Sequence, residues 1–580
     1  MNRLELLRQY MKEQGVSACI IPTADPHLSE YIPRHYKLRE YLCGFTGSAG
    51  TLVVTDKESA LWTDGRYYIQ AEKELSGTET MLYRASEKNC LKITQYLEQR
   101  LEKTATVGVD GRLFSKKRLE DIIMELAPIK VNTTFDAACI WTDRPCFPME
   151  KAFILDEKYC GESVCDKILR VKNAIKHKNF THYLVCSPEN IMWLLNIRGN
   201  DVSYTPVMLC YALISESEVI LYSYKEKIDV LVAEHLKTHN IKVADYENVY
   251  GELKKLGEES VLVTDFRAAN YNLLSNVTCA CIDTEDIIES FKAVKNNTEI
   301  ENIKKAYIKE NVALTKSFYA IYKRANLTEW DVCSIIEENR RKLDGYISPS
   351  FETIAAYGAN AAIIHYAPKS ENSAPIKKKG MLLIDTGGQY IEGTTDTTRT
   401  LVLGDIPYEQ REMLTLVLKG NIALATTVFP EKSRGCDLDS IARIPLWKKG
   451  LDYRYSTGHG IGYLLSVHEG PHRISSASTY ELEVNMTVSD EPGVYVENEY
   501  GIRIENHLCI RNFSESEYGK FLSFEVLNYC PIGTNGLLAE LFDADEKKWL
   551  NEYNRKCYEL ISPYLDEEEK EWLKIYSKEI

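Results

Sequence analysis

Apolar residues recur along this chain with two periods, and the alternation between them predicts the architecture. In MNRLELLRQYMKEQG, Leu4, Leu7 and Met11 fall on one helical face, and the strand Ala18-Cys19-Ile20-Ile21 and the turn Thr23-Ala24-Asp25-Pro26 follow. Paired β-prone runs around an acidic turn come next, in TLVVTDKESALWTD. The same order returns later as a helical stretch from Asp166, the strand His182-Tyr183-Leu184-Val185, the turn Ser187-Pro188-Glu189-Asn190 and the paired runs of YALISESEVILYS. This weak repeat predicts two related α/β domains, with the Pro-rich stretch TDRPCFPME as the linker. After residue 290, EIENIKKAYIKENVALTKSFYAIYKRAN carries apolar residues at helical spacing and opens a third region. Residues 350–512 read as short strands with glycine-centred turns, and the tail from Asp545, with Trp549, Tyr553, Tyr558 and Leu560, as a helical cap broken at Ser562-Pro563. The expected fold class is α/β (α+β), in domains 1–145, 146–290 and 291–580.

Bulk properties narrow the function. A chain of 580 residues exceeds what one hydrophobic core can serve, and 44% hydrophobic with 27% charged residues is the balance of an ordinary globular protein. A net charge of −15 argues against a nucleic-acid partner, and Lys377-Lys378-Lys379 reads as a solvated turn before a strand. None of the 16 cysteines forms a CxxC pair, which suits a reducing compartment. The first helix lacks the apolar region and cleavage site of a secretory signal, and no stretch approaches the ~18 apolar residues of a membrane span. A cytoplasmic location without a membrane partner is expected.

The candidate chemistry sits in the third region. Asp385 ends the apolar strand of MLLIDTGG, and Asp396 lies eleven residues on, in the threonine-rich TTDTTRT. His459 stands between glycines in STGHGIG, Glu491 in SDEPGVYV and Glu505 in GIRIEN. Taken singly, each has a structural explanation as a turn, cap or tolerated residue. Together they do not, because an unpaired carboxylate at the end of a buried strand costs several kcal/mol, and converging carboxylates also repel. Two divalent cations would resolve both problems, and a hard, oxygen-rich donor set with one imidazole points to Mn²⁺. Such a pair suits hydrolysis of a carbonyl compound. In the strand read as Ile502-Arg503-Ile504-Glu505, the period of two places Arg503 and Glu505 on one face about 6.8 Å apart. Arg503 would then orient a ligand carboxylate without touching a metal, and Tyr495 would do so beside Glu491.

The set DTGG, TTDTTRT, TGHGIG, VHEGP, DEPGVYVE and GIRIEN resembles the pita-bread metallopeptidases. With DPHLSEYIP, GFTGSAGTLVVT, LWTDGRYY, WTDRP and the WLNEYN tail, the resemblance is to the long, three-domain aminopeptidase P (Xaa-Pro aminopeptidase) branch. It implies two creatinase-N-like α/β domains before a pita-bread catalytic domain, and release of the first residue from peptides with proline second. It implies Asp385, Asp396, His459, Glu491 and Glu505 as ligands of two divalent ions, with Asp396 and Glu505 bridging and Glu491 relaying a proton. His365 in AAIIHYAP matches a histidine holding substrate, His468 one that stabilises the tetrahedral intermediate, and Arg66 a residue touching the peptide. His459 lies within the same substrate-binding set, and a homodimer is implied by relatives. Tyr455 departs from the pattern, since relatives commonly carry histidine four positions before the metal histidine. A prolidase would use the same ligands on Xaa-Pro dipeptides. Methionine aminopeptidases, metal-free creatinase-like enzymes and non-catalytic binding proteins on this fold account for less of the chain or of its retained ligands.

Overall fold

The opening helix forms over Arg3–Glu13, where Asn2 and Glu5 close a capping box and Leu4, Leu7 and Met11 are buried. The computed structural model describes residues 2–371 and 373–580. Strand Ala18–Pro22 pairs antiparallel with Thr51–Thr55, which continues antiparallel to Ser59–Thr63 and then parallel to Thr80–Arg84. On its other side Ala18–Pro22 runs parallel to Thr106–Gly108, and that strand to Lys130–Asn132. Alternate residues serve opposite faces: Cys19, Ile21, Leu52 and Val54 enter one core cluster, Ala18, Ile20, Val53 and Ala60 the other. A sheet buried on both faces reads as a nearly continuous apolar run, as this one does.

A second six-stranded sheet repeats the first strand for strand. Its order is Ile241–Ala244, Val219–Tyr222, Tyr211–Ser215, His182–Val185, Val261–Thr264, Ala280–Asp283, with the same parallel and antiparallel senses. The duplication visible in the sequence is therefore real at the level of topology. One expected turn is not a turn. Ser187–Asn190 opens the helix Pro188–Leu195, because Ser187 accepts from the Asn190 N–H and Pro188 occupies the first turn, where its missing donor costs nothing. Both sheets belong to one compact unit, Met1–Glu157 with Glu162–Ile288. Inside it His27 is buried, with Nδ1 2.9 Å from the Cys186 carbonyl and Nε2 2.8 Å from the Tyr246 hydroxyl.

The other unit comprises Lys158–Gly161 and Glu289–Ile580. A capping box at Asn296 and Glu299 starts its long helix, Asn297–Lys323. Strand Met381–Thr386 lies between Ile354–Tyr357 and Thr397–Val402, antiparallel to both. A six-stranded sheet runs Val428–Pro430, Gly519–Val526, Asn506–Ser516, Thr487–Asp490, Gly458–Gly460, Glu469–Ile474. The tail helices Ala544–Ile561 and Glu567–Tyr576 bury Tyr553, Cys557, Ile561 and Leu573 in the same core as Met381, Val402 and the helix Tyr408–Ala425. The strand expected at Ile502–Glu505 is interrupted. Tyr500–Arg503 pairs with Gly493–Val496, and a new strand begins at Asn506. Glu505 occupies the crossing between the two pairings, where its N–H bonds the Thr398 carbonyl at 3.1 Å. No described helix is long and apolar enough to cross a membrane.

Candidate metal centre

Backbone pairing brings the acidic segments together. Asp385 faces Thr398 in the register of Met381–Thr386 with Thr397–Val402, and Asp396 directly precedes the latter strand. The Asp396 N–H donates to the Tyr307 hydroxyl at 3.0 Å, which fixes it from the long helix. Glu491 follows the strand Thr487–Asp490, and its N–H donates to the Thr457 carbonyl at 2.8 Å, two residues before His459. Asp385, Asp396 and Glu505 are 8%, 4% and 2% exposed, so bulk water cannot screen them.

The tautomer of His459 follows from its partners. Nδ1 lies 2.9 Å from the Gly460 carbonyl, which only accepts, so Nδ1 carries the proton. Nε2 points at the acidic cluster, 3.5 Å from Asp396 Oδ2 and 3.4 Å from Glu491 Oε1. With Nδ1 bonded to a backbone carbonyl, Nε2 is the ring nitrogen placed to ligate a cation held among these carboxyl groups. One ligand atom each from Asp396, His459 and Glu505 lies within 4.8 Å of the others.

The carboxylates burden one another. Burial and then Glu505, Asp385 and Glu491 hold the Asp396 carboxyl well above the usual range. Burial, Glu505 and Asp385 do the same to Glu491, and burial with Asp385 pushes Glu505 up to about 7. Arg503 offsets part of this by donating from Nη2 to Asp385 Oδ2, while Oδ1 of the same carboxylate is buried with no hydrogen-bond partner among the described residues. Four acidic side chains with one imidazole nitrogen among them form a donor set that fits hard divalent cations.

The remaining expected residues take up varied positions. His468 stands against His459, ring centroids 4.4 Å apart and planes at 87°. Tyr495 accepts from Arg503 Nη1, linking it through the guanidinium to Asp385. His365 lies in a half-buried turn, not on a strand, after the short helix Gly358–Ala362. That turn borders the site's sheet, since a Cβ at Gly501 would meet the Ala361 carbonyl at 1.8 Å. Arg66 belongs to the other unit, where it grips Asp64 with Nε and Nη2, each at 2.8 Å.

Three hydroxyls were missed from the sequence. Thr398 donates to Glu505 Oε2 at 2.7 Å and accepts from Arg503 Nε at 3.2 Å. Ser489 accepts from the His459 N–H at 3.0 Å and contacts Glu491 Oε1 at 3.3 Å. Tyr307 supports Asp396 as described. Thr398 had a signal, lying two residues after Asp396 in a β-prone run; Tyr307 had none, as one of 37 tyrosines.

Fold and cluster together define a metallopeptidase-type catalytic unit that follows a duplicated α/β unit in the sequence, and comparison with known proteins agrees. Residues 301–512 match metallopeptidase family M24, residues 3–137 and 143–299 each match the creatinase/prolidase N-terminal domain, and residues 520–580 match the C-terminal region of peptidase M24. The chain belongs to metallopeptidase family M24, in its aminopeptidase P branch. It is 34% identical to a probable Xaa-Pro aminopeptidase P of Coprinopsis cinerea, over 97% of this chain and 95% of that protein. It is 36% identical to aminopeptidase P2 of Arabidopsis thaliana, over 97% and 86%. The crystal structure of an X-prolyl aminopeptidase from Caenorhabditis elegans, described as a cytosolic enzyme with a di-nuclear active site, matches with a TM-score of 0.95 at 29% identity. It covers 100% of this chain and 99% of that one.

Proposed function

We propose that this chain is an Xaa-Pro aminopeptidase whose Asp385, Asp396, His459, Glu491 and Glu505 hold two divalent cations, Mn²⁺ by the hardness of the donors. The observation that carries the reading is the convergence of His459 Nε2 with acidic side chains whose burial and mutual proximity make them resist charging. Full-length similarity to Xaa-Pro aminopeptidases supports the substrate class. When bound, the cations supply Lewis acidity for the scissile carbonyl and ease the deprotonation of water.

The chain's own residues do the rest. His468, beside His459, donates a hydrogen bond to the developing oxyanion, where a preorganised donor is worth most. Glu491, as a carboxylate beside the cations, accepts the proton of the attacking water and returns it to the leaving proline nitrogen. That delivery is required because an expelled secondary amine must leave protonated. His365 holds the substrate near the scissile bond, and Arg66 contacts the peptide. Proline's fixed φ and missing N–H defeat ordinary extended-peptide recognition, so a dedicated pocket is needed. The cytosolic description of the nematode enzyme supports a cytoplasmic location, and a homodimer is part of the same proposal.

Cleavage of Arg-Pro-Pro and Arg-Ala-Ala, before and after chelation and after Mn²⁺ is restored, tests this. Release of arginine from Arg-Pro-Pro alone, lost on chelation and recovered with Mn²⁺, is expected. Equal rates on both peptides would remove the proline preference. Activity confined to Xaa-Pro dipeptides would make the chain a prolidase.

A further inference from the structure

Tyr455 stands where the resembled pattern has histidine, and its hydroxyl is engaged on both sides. It lies 3.1 Å from the Glu491 main-chain carbonyl and 2.8 Å from the Tyr495 hydroxyl. The carbonyl can only accept, so the Tyr455 hydrogen points to it. The Tyr495 hydroxyl must then donate to Tyr455, and its own oxygen accepts from Arg503 Nη1. Arg503 donates from Nη2 to Asp385 and from Nε to Thr398 Oγ1, whose proton goes to Glu505 Oε2. Every bond in the chain has one permitted sense, running outward from the guanidinium to three acidic segments: Asp385, Glu505 and, through two tyrosines, Glu491.

The space for the tyrosine pair is built in. A Cβ at Gly493 would lie 2.5 Å from the Tyr455 hydroxyl and 2.8 Å from that of Tyr495, so glycine is the residue that admits both. The rings pack as a group, with Tyr455 5.0 Å from Tyr453 and 5.8 Å from Tyr495 between centroids. Replacing Tyr455 by phenylalanine would keep that packing and delete one oxygen. The Tyr495 proton and the Glu491 carbonyl would each lose a partner.

We infer that Tyr455 is a positioning residue that locks Tyr495, Arg503 and the Glu491 backbone into one directed hydrogen-bond chain around the metal ligands. The inference rests on the metal reading proposed above. It acts on the cations only through their carboxylates, so its first readout is metal binding itself.

Mn²⁺ titration of the chelated full-length protein by calorimetry, with steady-state kinetics on Arg-Pro-Pro, tests it on Tyr455→Phe, Tyr495→Phe and the double variant. Each single variant is expected to bind Mn²⁺ about tenfold more weakly, the loss seen when a residue supporting a metal ligand is removed. kcat falls similarly, KM changes less than about twofold, and the melting temperature stays within about 4 °C of wild type. The double variant is expected to lose no more than the larger single loss, because a chain broken once is broken. Wild-type Mn²⁺ affinity in Tyr455→Phe, or losses that multiply in the double variant, would overturn the inference. A wild-type protein that binds no Mn²⁺ at all would instead overturn the metal reading, and this inference with it.

Discussion

His27 shows how one buried residue sets a pH dependence. The Cys186 carbonyl takes the Nδ1 proton, and Nε2 accepts from Tyr246, so the neutral ring is fully satisfied. Burial pushes its pKa down to about 3. Below pH ~6.5 the unfolded chain thus binds a proton that the folded chain refuses, and stability falls as pH falls, by ~1.4 kcal/mol per unit. Nearby Asp25 works in the opposite sense. Burial raises it to about 6 against the N–H bonds from His27 and Ser29, so folded protein binds the extra proton and stability rises as pH drops from 6 towards the unfolded value. The two effects cancel over most of that window. His27→Gln removes the first and leaves the second. The variant is expected to start less stable at pH 7 and to gain about 2 kcal/mol on wild type between pH 6.5 and 5. Urea midpoints of both chains at the two pH values check it; a gap that stays constant would mean His27 is not held neutral.

At the scale of elements, the short strand Gly458–Gly460 is the most constrained piece of the site. It pairs with Glu469–Ile474 and, at Gly460, with Val488. A Cβ at Gly458 would sit 1.9 Å from the Ser489 carbonyl oxygen, a backbone atom that cannot step aside. Gly458→Ala is expected to push the strand off its neighbour, cost about 3 kcal/mol and displace His459 Nε2 from Asp396 and Glu491. Gly251→Ala is the control of opposite sign: it lies in the helix Asn248–Leu253 with nothing within 4 Å of its would-be Cβ, and gains about 0.5–1 kcal/mol. Melting temperatures of the two variants, with Mn²⁺ binding for the first, decide the matter. The duplicated sheets were legible because both faces of their strands are buried and acidic turns separate the paired runs. Ser187-Pro188 was misread because Ser and Pro open turns and helices alike, and the choice fell to the apolar Ile191–Leu195 that follows. The break at Ile504 was invisible, since GIRIEN alternates like one strand and changes partners only in three dimensions. Thr398 and Ser489 escaped for a related reason: a hydroxyl announces its role only through a partner, and the Thr398 partner Glu505 is 107 positions away.

For the molecule as a whole, the segments of the proposed ligands are scattered over the unit Glu289–Ile580, while Met1–Glu157 with Glu162–Ile288 contributes none of them. Without cations, burial and mutual proximity make Asp396, Glu491 and Glu505 resist charging. Cations that bind the folded arrangement and not the unfolded chain add RT ln(1 + [L]/Kd), about 2.7 kcal/mol at a hundredfold excess over Kd. That energy belongs to whatever opens when the ligands separate. Amides of Met381–Thr386, Thr397–Val402 and Thr487–Asp490 should accordingly exchange up to about 100-fold more slowly in Mn²⁺ than after chelation, where exchange proceeds through that opening. Amides of Ala18–Pro22, Thr51–Thr55 and His182–Val185 should keep their rates, because their sheets gain no contact from the metal. Hydrogen exchange read by mass spectrometry on the full chain separates these outcomes. Slowing spread evenly over both units would show that the metal stabilises something other than this cluster, and no slowing in either would show that the carboxylates carry their mutual repulsion without it.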